Sequence, residues 1–240
     1  MTSHSSRRLY ELVLDNGLSA SPFVWRVRYA LAHKGLTFES VPLGFTDIPQ
    51  VFGGRYKTVP VLGENDQMIV DSWSIVDHLE QTYPGRPALF SGPEEYAMVR
   101  LFDAYFTAEM IRKFFGLYAL DIHNAARAED RAYFRESRQQ RFLKGRTLEV
   151  HVDGREGRLP ALREALTPLR LQLSRGPFLG GHKPNYADYI AFGLFQWVAS
   201  VNTLPPLAKE DSSLCSWLDR VANLYEGLGR DPRMKPLFEG

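Results

Sequence analysis

The 240 residues suffice for one large or two modest domains with their own cores; 29 basic against 28 acidic side chains leave a net charge of +1, and 44% of residues are hydrophobic. That balance gives no bulk electrostatic reason to bind nucleic acid or an anionic membrane. The one cysteine, Cys215, excludes a disulfide framework and a cysteine-rich metal site, and no stretch reaches the roughly 18 apolar residues of a membrane span.

The polar stretch Met1 to Arg8 lacks the apolar run of a signal peptide, so a cytoplasmic protein without membrane insertion is expected. Leu9 to Leu14 reads as a strand ended by the turn signal Asp15-Asn16-Gly17. From Pro22 to Lys34 the period becomes helical: Phe23, Val27, Ala30 and Leu31 share one side, with Arg26 and Arg28 left to other faces. Pro22 suits the first helical turn, Ser21 before it is an N-cap candidate, and His33-Lys34-Gly35 marks the exit. Thr37 to Pro42 predicts a second strand, followed by a loop with a short helical turn through Gly53-Gly54. Val59 to Leu62 and Met68 to Val70, joined by Gly63 to Gln67, predict a hairpin. A helix capped by Ser72 and running to about Tyr83 follows, with Ile75, Val76 and Leu79 as its apolar side.

Pro84-Gly85-Arg86-Pro87 then breaks the pattern, and strand signals nearly vanish. Helices are expected over 94–120, 128–150, 159–173, 186–200 and 212–227. The reading is α/β plus all-α: a four-stranded mixed sheet with helices over residues 1–86, and an all-helical domain over 93–240.

Chemistry concentrates in the first domain. A hydroxyl at a helix N-terminus can cap the backbone or donate to an anion placed there. A thiolate docked beside Ser21 would gain from that donor and from the helix dipole, so more of the nucleophilic form would exist near neutral pH. From sequence grammar alone Ser21 reads first as a plain cap; Ser19 is a nearby rival, but Ser21 borders the helix directly. The Val59-Pro60 bond, if cis, would turn the Val59 backbone toward an extended peptide; if trans, it merely starts a strand. Asp71-Ser72 either caps the next helix or receives a ligand carboxylate and ammonium. Lys57 and Arg55 either meet a second carboxylate or sit in solvent. The histidines form no HxxxH or HExxH pattern, so no metal site is expected, and no GxSxG elbow supports a serine hydrolase.

With these residues in view, the chain resembles the cytosolic glutathione transferases over nearly its whole length. Ser21-Pro22-Phe23 is similar to their catalytic serine motif, Thr58-Val59-Pro60 to the cis-proline segment, and Asp71-Ser72 to the pair that receives the γ-glutamyl group. The resemblance implies a thioredoxin-like first domain with glutathione as cofactor. It places the Val59 backbone on the cysteinyl part, Lys57 and less directly Arg55 near the glycyl carboxylate, and a homodimer as the assembly. The stretch Gly180 to Asp188 resembles the family's buried capping box: Asn185 caps a helix and Asp188, three residues on, reaches back. That pair is assigned to folding. A narrower resemblance, to the β-etherase-like branch of lignin-degrading bacteria and wood-decay fungi, is carried by Ser21 to Arg26, Gly53-Gly54-Arg55, Asp71-Ser72-Trp73 and Asn185 to Tyr189. The C-terminus, ending at Gly240, is more like the fungal type.

Aromatic residues make up 12% of the chain. Phe23 and Trp25 by the first helix start, and Tyr105, Phe106, Phe115 and Tyr118 on the long helix, are the candidates for an apolar site that takes aromatic electrophiles. The expected reaction is attack by glutathione thiolate, stabilised by Ser21, on a hydrophobic aromatic compound, with aryl ethers among the candidates. The rival is a carrier of polyphenols or wood extractives with little turnover. A thiol-transfer enzyme is disfavoured because its cysteine would stand at position 21, whereas Cys215 falls in the last helical stretch and is expected to be buried.

Overall fold

The computed structural model describes residues 7–239; most of the polar stretch read for a leader, and Gly240, lie outside them. Four strands, β1 (Arg8–Leu12), β2 (Glu39–Leu43), β3 (Val61–Glu64) and β4 (Gln67–Val70), form one mixed sheet in the order β2-β1-β3-β4. β1 runs parallel to β2, with Tyr10 opposite Val41, and antiparallel to β3, with Leu9 opposite Leu62. Helices α1 (Pro22–His33) and α2 (Ser72–Thr82) pack against each other and bury Val24, Val27, Leu31, Ile75, Val76 and Leu79 with Leu9 and Leu62 of the sheet. At roughly 25 cal/mol per Å² of apolar surface, this is the dominant stabilising contribution of the layer.

The hairpin turn is tighter than the sequence suggested. β3 continues through Glu64, and only Asn65 and Asp66 turn, both with positive φ (49° and 62°), the arrangement favoured by a two-residue hairpin. Glu64, itself buried, has half-buried partners the sequence did not reveal: His78 Nε2 lies 2.7 Å from its carboxylate and the Tyr83 hydroxyl donates to it. The α2 cap also differs. Asp71, not Ser72, is the N-cap, accepting from Trp73 N at 2.9 Å, and Ser72 is the first helical residue.

The remaining helices are α3 (Pro93–Ala125), α4 (Arg131–Arg141), α5 (Leu148–Val152), α6 (Leu159–Ala165), α7 (Thr167–Leu173), α8 (Tyr186–Val201), α9 (Ser212–Ala222) and the short α10 (Leu224–Gly227). Three expected helices are broken. The stretch 128–150 is interrupted where Lys144 and Gly145 take positive φ (51° and 84°) and Thr147 starts a new helix by accepting from Val150 N. The stretch 159–173 divides at Leu166 because Pro168 has no N–H to offer and disfavours helical backbone before it. The last helix stops at Ala222, since Tyr225 and Glu226 adopt positive φ. α3, in contrast, runs five residues beyond its expected end at Leu120.

α8 is buried along its entire length and packs on both α1 and α3. Its approach to α1 depends on Gly193: a Cβ there would lie 2.6 Å from the Pro22 carbonyl oxygen and 3.3 Å from Trp25 Cβ. The contact fixes the start of α1 against the centre of the helical layer. A second tie is Arg26, which the sequence left to a face other than that of Phe23 and Val27. It is fully buried and forms two 3.0 Å bonds to the Asp103 carboxylate of α3, which also accepts from Trp73 Nε1 at 2.6 Å. α1, α2 and α3 thus meet on one carboxylate, so a buried charge is paired and hydrogen-bonded as its desolvation requires. No helix among the described residues is long and apolar enough to cross a membrane.

Candidate functional site

Ser21 caps α1 with extended backbone (φ −120°, ψ 119°), and its Oγ accepts from Val24 N at 3.3 Å. The two readings of this hydroxyl are compatible. A serine oxygen has one proton and two lone pairs; the cap uses a lone pair, so the proton remains available to an anion. Pro22 has no N–H, and Trp25 N is occupied by the Ser21 carbonyl at 3.1 Å. The Phe23 N–H is therefore the helix end's other open donor among the described residues. Ser21 is buried but borders a cavity of about 700 Å³, together with Pro22, Phe23, Lys57 and Thr58. Ser19 does not border it: its hydroxyl is enclosed, and its carbonyl accepts from Trp25 Nε1 at 3.1 Å.

The Val59-Pro60 bond is cis. Asp71 sits directly behind it, its N–H donating to the Pro60 carbonyl at 3.3 Å, which brings the Thr58–Pro60 and Asp71–Ser72 segments together. Asp71 is exposed and holds φ +81°, a conformation that costs a non-glycine residue of order 1–3 kcal/mol and clusters at functional sites. Ser72 is buried. Lys57 is exposed at the cavity mouth, while Arg55 lies outside it with its guanidinium 5.4 Å from the Tyr56 ring centre. Val59, Pro60, Asp71 and Ser72 are not part of the cavity wall either. They form a second segment alongside it.

The aromatic candidates separate into two groups. Phe23 and Phe115 line the cavity. Trp25 is buried with its indole tied to Ser19, Phe106 stacks on Phe102 at 4.9 Å in the core, and Tyr118 is buried with its hydroxyl on the Leu204 carbonyl at 2.8 Å. Tyr105 is 75% exposed on the outer side. None of these four lines the cavity. Helix spacing explains only part of this: Ala108, Ile111, Arg112, Phe115 and Ile122 of α3 line the cavity from one side, and at 100° per residue Phe106 falls opposite them, while Tyr105 and Tyr118 stand at the two edges of that side, the first exposed and the second held in the core by the Leu204 carbonyl.

The opposite wall comes from residues that sequence reasoning missed: Phe45, Tyr133, Phe134, Arg138, Arg141, and Phe142 after α4. The i, i+1, i+5, i+8, i+9 spacing of Tyr133, Phe134, Arg138, Arg141 and Phe142 was a visible signal, though nothing local says which way it faces. Burial and the nearby Arg141 charge hold the Arg138 guanidinium below the ordinary arginine range, with Tyr133 opposing them. Burial, with Arg158 and Arg146, likewise lowers the pKa of His151, which faces Phe115 at 5.6 Å. Away from this site, Cys215 is exposed on α9 and not buried, because the apolar side of that helix is taken by Leu214, Trp217, Leu218 and Val221. No group of three or more potential metal ligands occurs among the described residues.

The capping box stands as read and is larger than read. Asn185 Oδ1 accepts from Ala187 N at 2.9 Å, and the Asp188 carboxylate accepts from Asn185 N, Gly180 N, Leu179 N and Trp217 Nε1 at 2.8–3.1 Å. Asn185 also does what a serine cap could not, donating from Nδ2 to Glu95 of α3 at 2.7 Å.

Two family descriptions match the chain. Residues 17–87 match the glutathione S-transferase N-terminal domain, and residues 97–225 match the C-terminal domain. Among solved structures, a glutathione S-transferase of Ceriporiopsis subvermispora, crystallised with glutathione, superposes with a TM-score of 0.79 at 22% identity, covering 95% of this chain and 99% of that one. A Phanerochaete chrysosporium glutathione transferase gives 0.69 at 24% identity, with 94% and 93% covered. By sequence, glutathione S-transferase U1 of Arabidopsis thaliana is 26% identical over 181 residues, 73% of this chain and 66% of that protein. With a thioredoxin-like mixed sheet followed by an all-helical domain, and both halves matched in order, the chain belongs to the glutathione S-transferase family.

Proposed function

We propose that this protein binds glutathione and transfers its sulfur to hydrophobic aromatic electrophiles, with Ser21 as the group that stabilises the thiolate. The observation that carries the reading is the placement of Ser21: a cap whose proton stays free, at a helix N-terminus, on the wall of a cavity lined by Phe23 and Phe115. Glutathione would lie along the Thr58–Pro60 and Asp71–Ser72 segments. The Val59 backbone would pair with the cysteinyl part, Asp71 with the γ-glutamyl ammonium, Ser72 and the α2 N-terminus with its carboxylate, and Lys57, with Arg55 farther out, with the glycyl carboxylate. Two relatives of the same fold were solved in complex with glutathione, which supports glutathione as the ligand.

In the reaction the thiol proton leaves to solvent as the thiolate forms. The sulfur attacks the electrophilic carbon, the C–S bond forms, and the leaving group departs with its electron pair. For a β-aryl ether that group would be a phenolate, the finer reading the sequence resemblance suggests. The Ser21 hydroxyl and the Phe23 N–H would stabilise the sulfur anion before attack.

Calorimetric titration with glutathione, followed by conjugation assays on chlorodinitrobenzene, benzyl halides, an isothiocyanate and a fluorogenic β-aryl ether, tests the reading. Glutathione binding with turnover on at least one electrophile is expected. Binding without turnover would favour the carrier of polyphenols, and absence of binding would remove the site assignment.

We further propose a homodimer. Met98, Leu101 and Tyr105 are 64%, 64% and 75% exposed at helical spacing on the first half of α3, an apolar stripe that water disfavours. Light scattering should return about twice the 27.4 kDa chain mass, and Leu101→Glu should shift it to the monomer.

A further inference from the structure

The charge on the cavity wall is one-sided. Its lining includes Lys57, Arg112, Arg138, Arg141 and His151, and no aspartate or glutamate. Three of these five are accounted for. Arg112 is neutralised by Glu109 at 2.7 Å, the pKa of His151 is held down by burial, and Lys57 stands at the mouth beside Thr58. Arg138 and Arg141 are not. Among the described residues neither has a carboxylate within 4.0 Å, and the guanidinium of Arg138 has one hydrogen bond, to Ser137 Oγ at 3.1 Å. Arg135 and Arg127 are treated differently, Arg135 pairing with Glu149 at 2.8 Å and Arg127 with Asp47 at 2.6 Å and Asp130 at 2.9 Å, while Arg131 of α4 is satisfied by the backbone carbonyls of Ala126 and Asn124.

The two unpaired cations are three residues apart on α4, hence on adjacent positions of one face, where like charges repel. The negative end of the helix dipole favours cations in this last turn. It does not explain why they face an acid-free cavity. The guanidinium of Arg138 lies 4.9 Å from the Phe134 ring centre, 5.6 Å from Phe45 and 5.7 Å from Phe142. Aromatic faces hold a cation in place without neutralising it, so the charge remains available to a ligand. Two guanidinium forks beside an aromatic wall suit a planar molecule with an oxyanion at one end.

We propose that Arg138 and Arg141 form an anion-binding end of the cavity, which selects aromatic ligands bearing a carboxylate or sulfonate. That the ligand is also the electrophile rests on the transferase reading above; the anion site itself does not. With the anion held by α4 and the ring against Phe115 and Phe142, the electrophilic carbon is presented toward the Ser21 end of the same cavity.

The test compares two dyes that differ by one group, anilinonaphthalene sulfonate and its uncharged counterpart phenylnaphthylamine, titrated against the full-length protein by fluorescence. The wild type should bind the sulfonate about tenfold or more tightly, as expected for charge-assisted hydrogen bonds. That ratio should fall toward one in Arg141→Gln and in Arg138→Met, and Arg138→Lys should retain most of it. Arg141 is exposed, so its variant carries the test even if Arg138→Met fails to fold. A wild-type ratio at or below one, or a ratio that both substitutions leave unchanged, overturns the proposal. Conjugation of the whole electrophile panel named above is measured on the wild type in parallel. Turnover with a flat dye ratio overturns the anion site and keeps the transferase. No turnover with the ratio intact keeps the anion site and removes the transferase.

Discussion

Replacing Ser21 with alanine is expected to lower kcat/KM for glutathione conjugation by about a hundredfold or more, the scale of removing one donor aimed at a developing or resident anion. Two effects are combined in that substitution. The cap on Val24 N is lost, at about 1 kcal/mol of stability, and the thiolate loses its hydroxyl donor. They are separable by pH. A donor to the thiolate lowers the thiol pKa, so its removal raises it. The reactive fraction then appears at higher pH, and the pH–rate curve of Ser21→Ala should move to the alkaline side with part of the lost rate regained there. A lost cap alone would lower the melting temperature and leave the curve in place. Ser21→Thr, which keeps a hydroxyl on the same backbone, should recover most of the activity. Full activity in Ser21→Ala would exclude this serine as the thiol partner.

The second large effect concerns folding. Asp188→Ala should destabilise the protein by about 3–5 kcal/mol, because three backbone N–H groups and the Trp217 indole lose their acceptor in a fully buried place. For a chain of this size the melting midpoint should drop by roughly 10 °C. Asp188→Asn should not rescue it: an amide has one acceptor oxygen where the carboxylate has two, and both are used. Trp217→Phe removes only one of the four donors' bonds, so its loss should be clearly smaller. Differential scanning calorimetry of the three variants checks the order; a shift of under 3 °C for Asp188→Ala would show that the loop 179–185 rearranges to satisfy itself.

These two sites share a trait: their chemistry is local. Ser21 with Pro22, and Asn185 with Asp188, are pairs within four residues of each other, and their hydrogen bonds close short rings. Such geometry is legible from spacing, and so are the turn at Asp15-Asn16-Gly17, the strand that begins the chain's sheet near Leu9 and the apolar side of α2. The misread helices failed for related reasons. The break at Leu166 had its signal in Pro168, which favoured a boundary that periodicity overrode. The breaks near Lys144 and Tyr225 come from positive φ at non-glycine residues, which side-chain patterns carry poorly. The cis state of Val59-Pro60 was one of two readings the sequence left open.

The sequence by itself therefore determined the order of strands and helices in the first domain, the starts of α1, α8 and α9 and the chemical types gathered near them, since these depend on contacts a few residues apart. Tertiary structure alone decided which faces meet. It buried Arg26 against Asp103, turned Phe115 and not Tyr105 into the cavity, set Gly193 against Pro22, and faced the unpaired Arg138 and Arg141 toward an acid-free wall. Each of these joins residues distant in the chain, and a helix with apolar and charged residues on several sides has no local energy term that says which side its neighbours will cover.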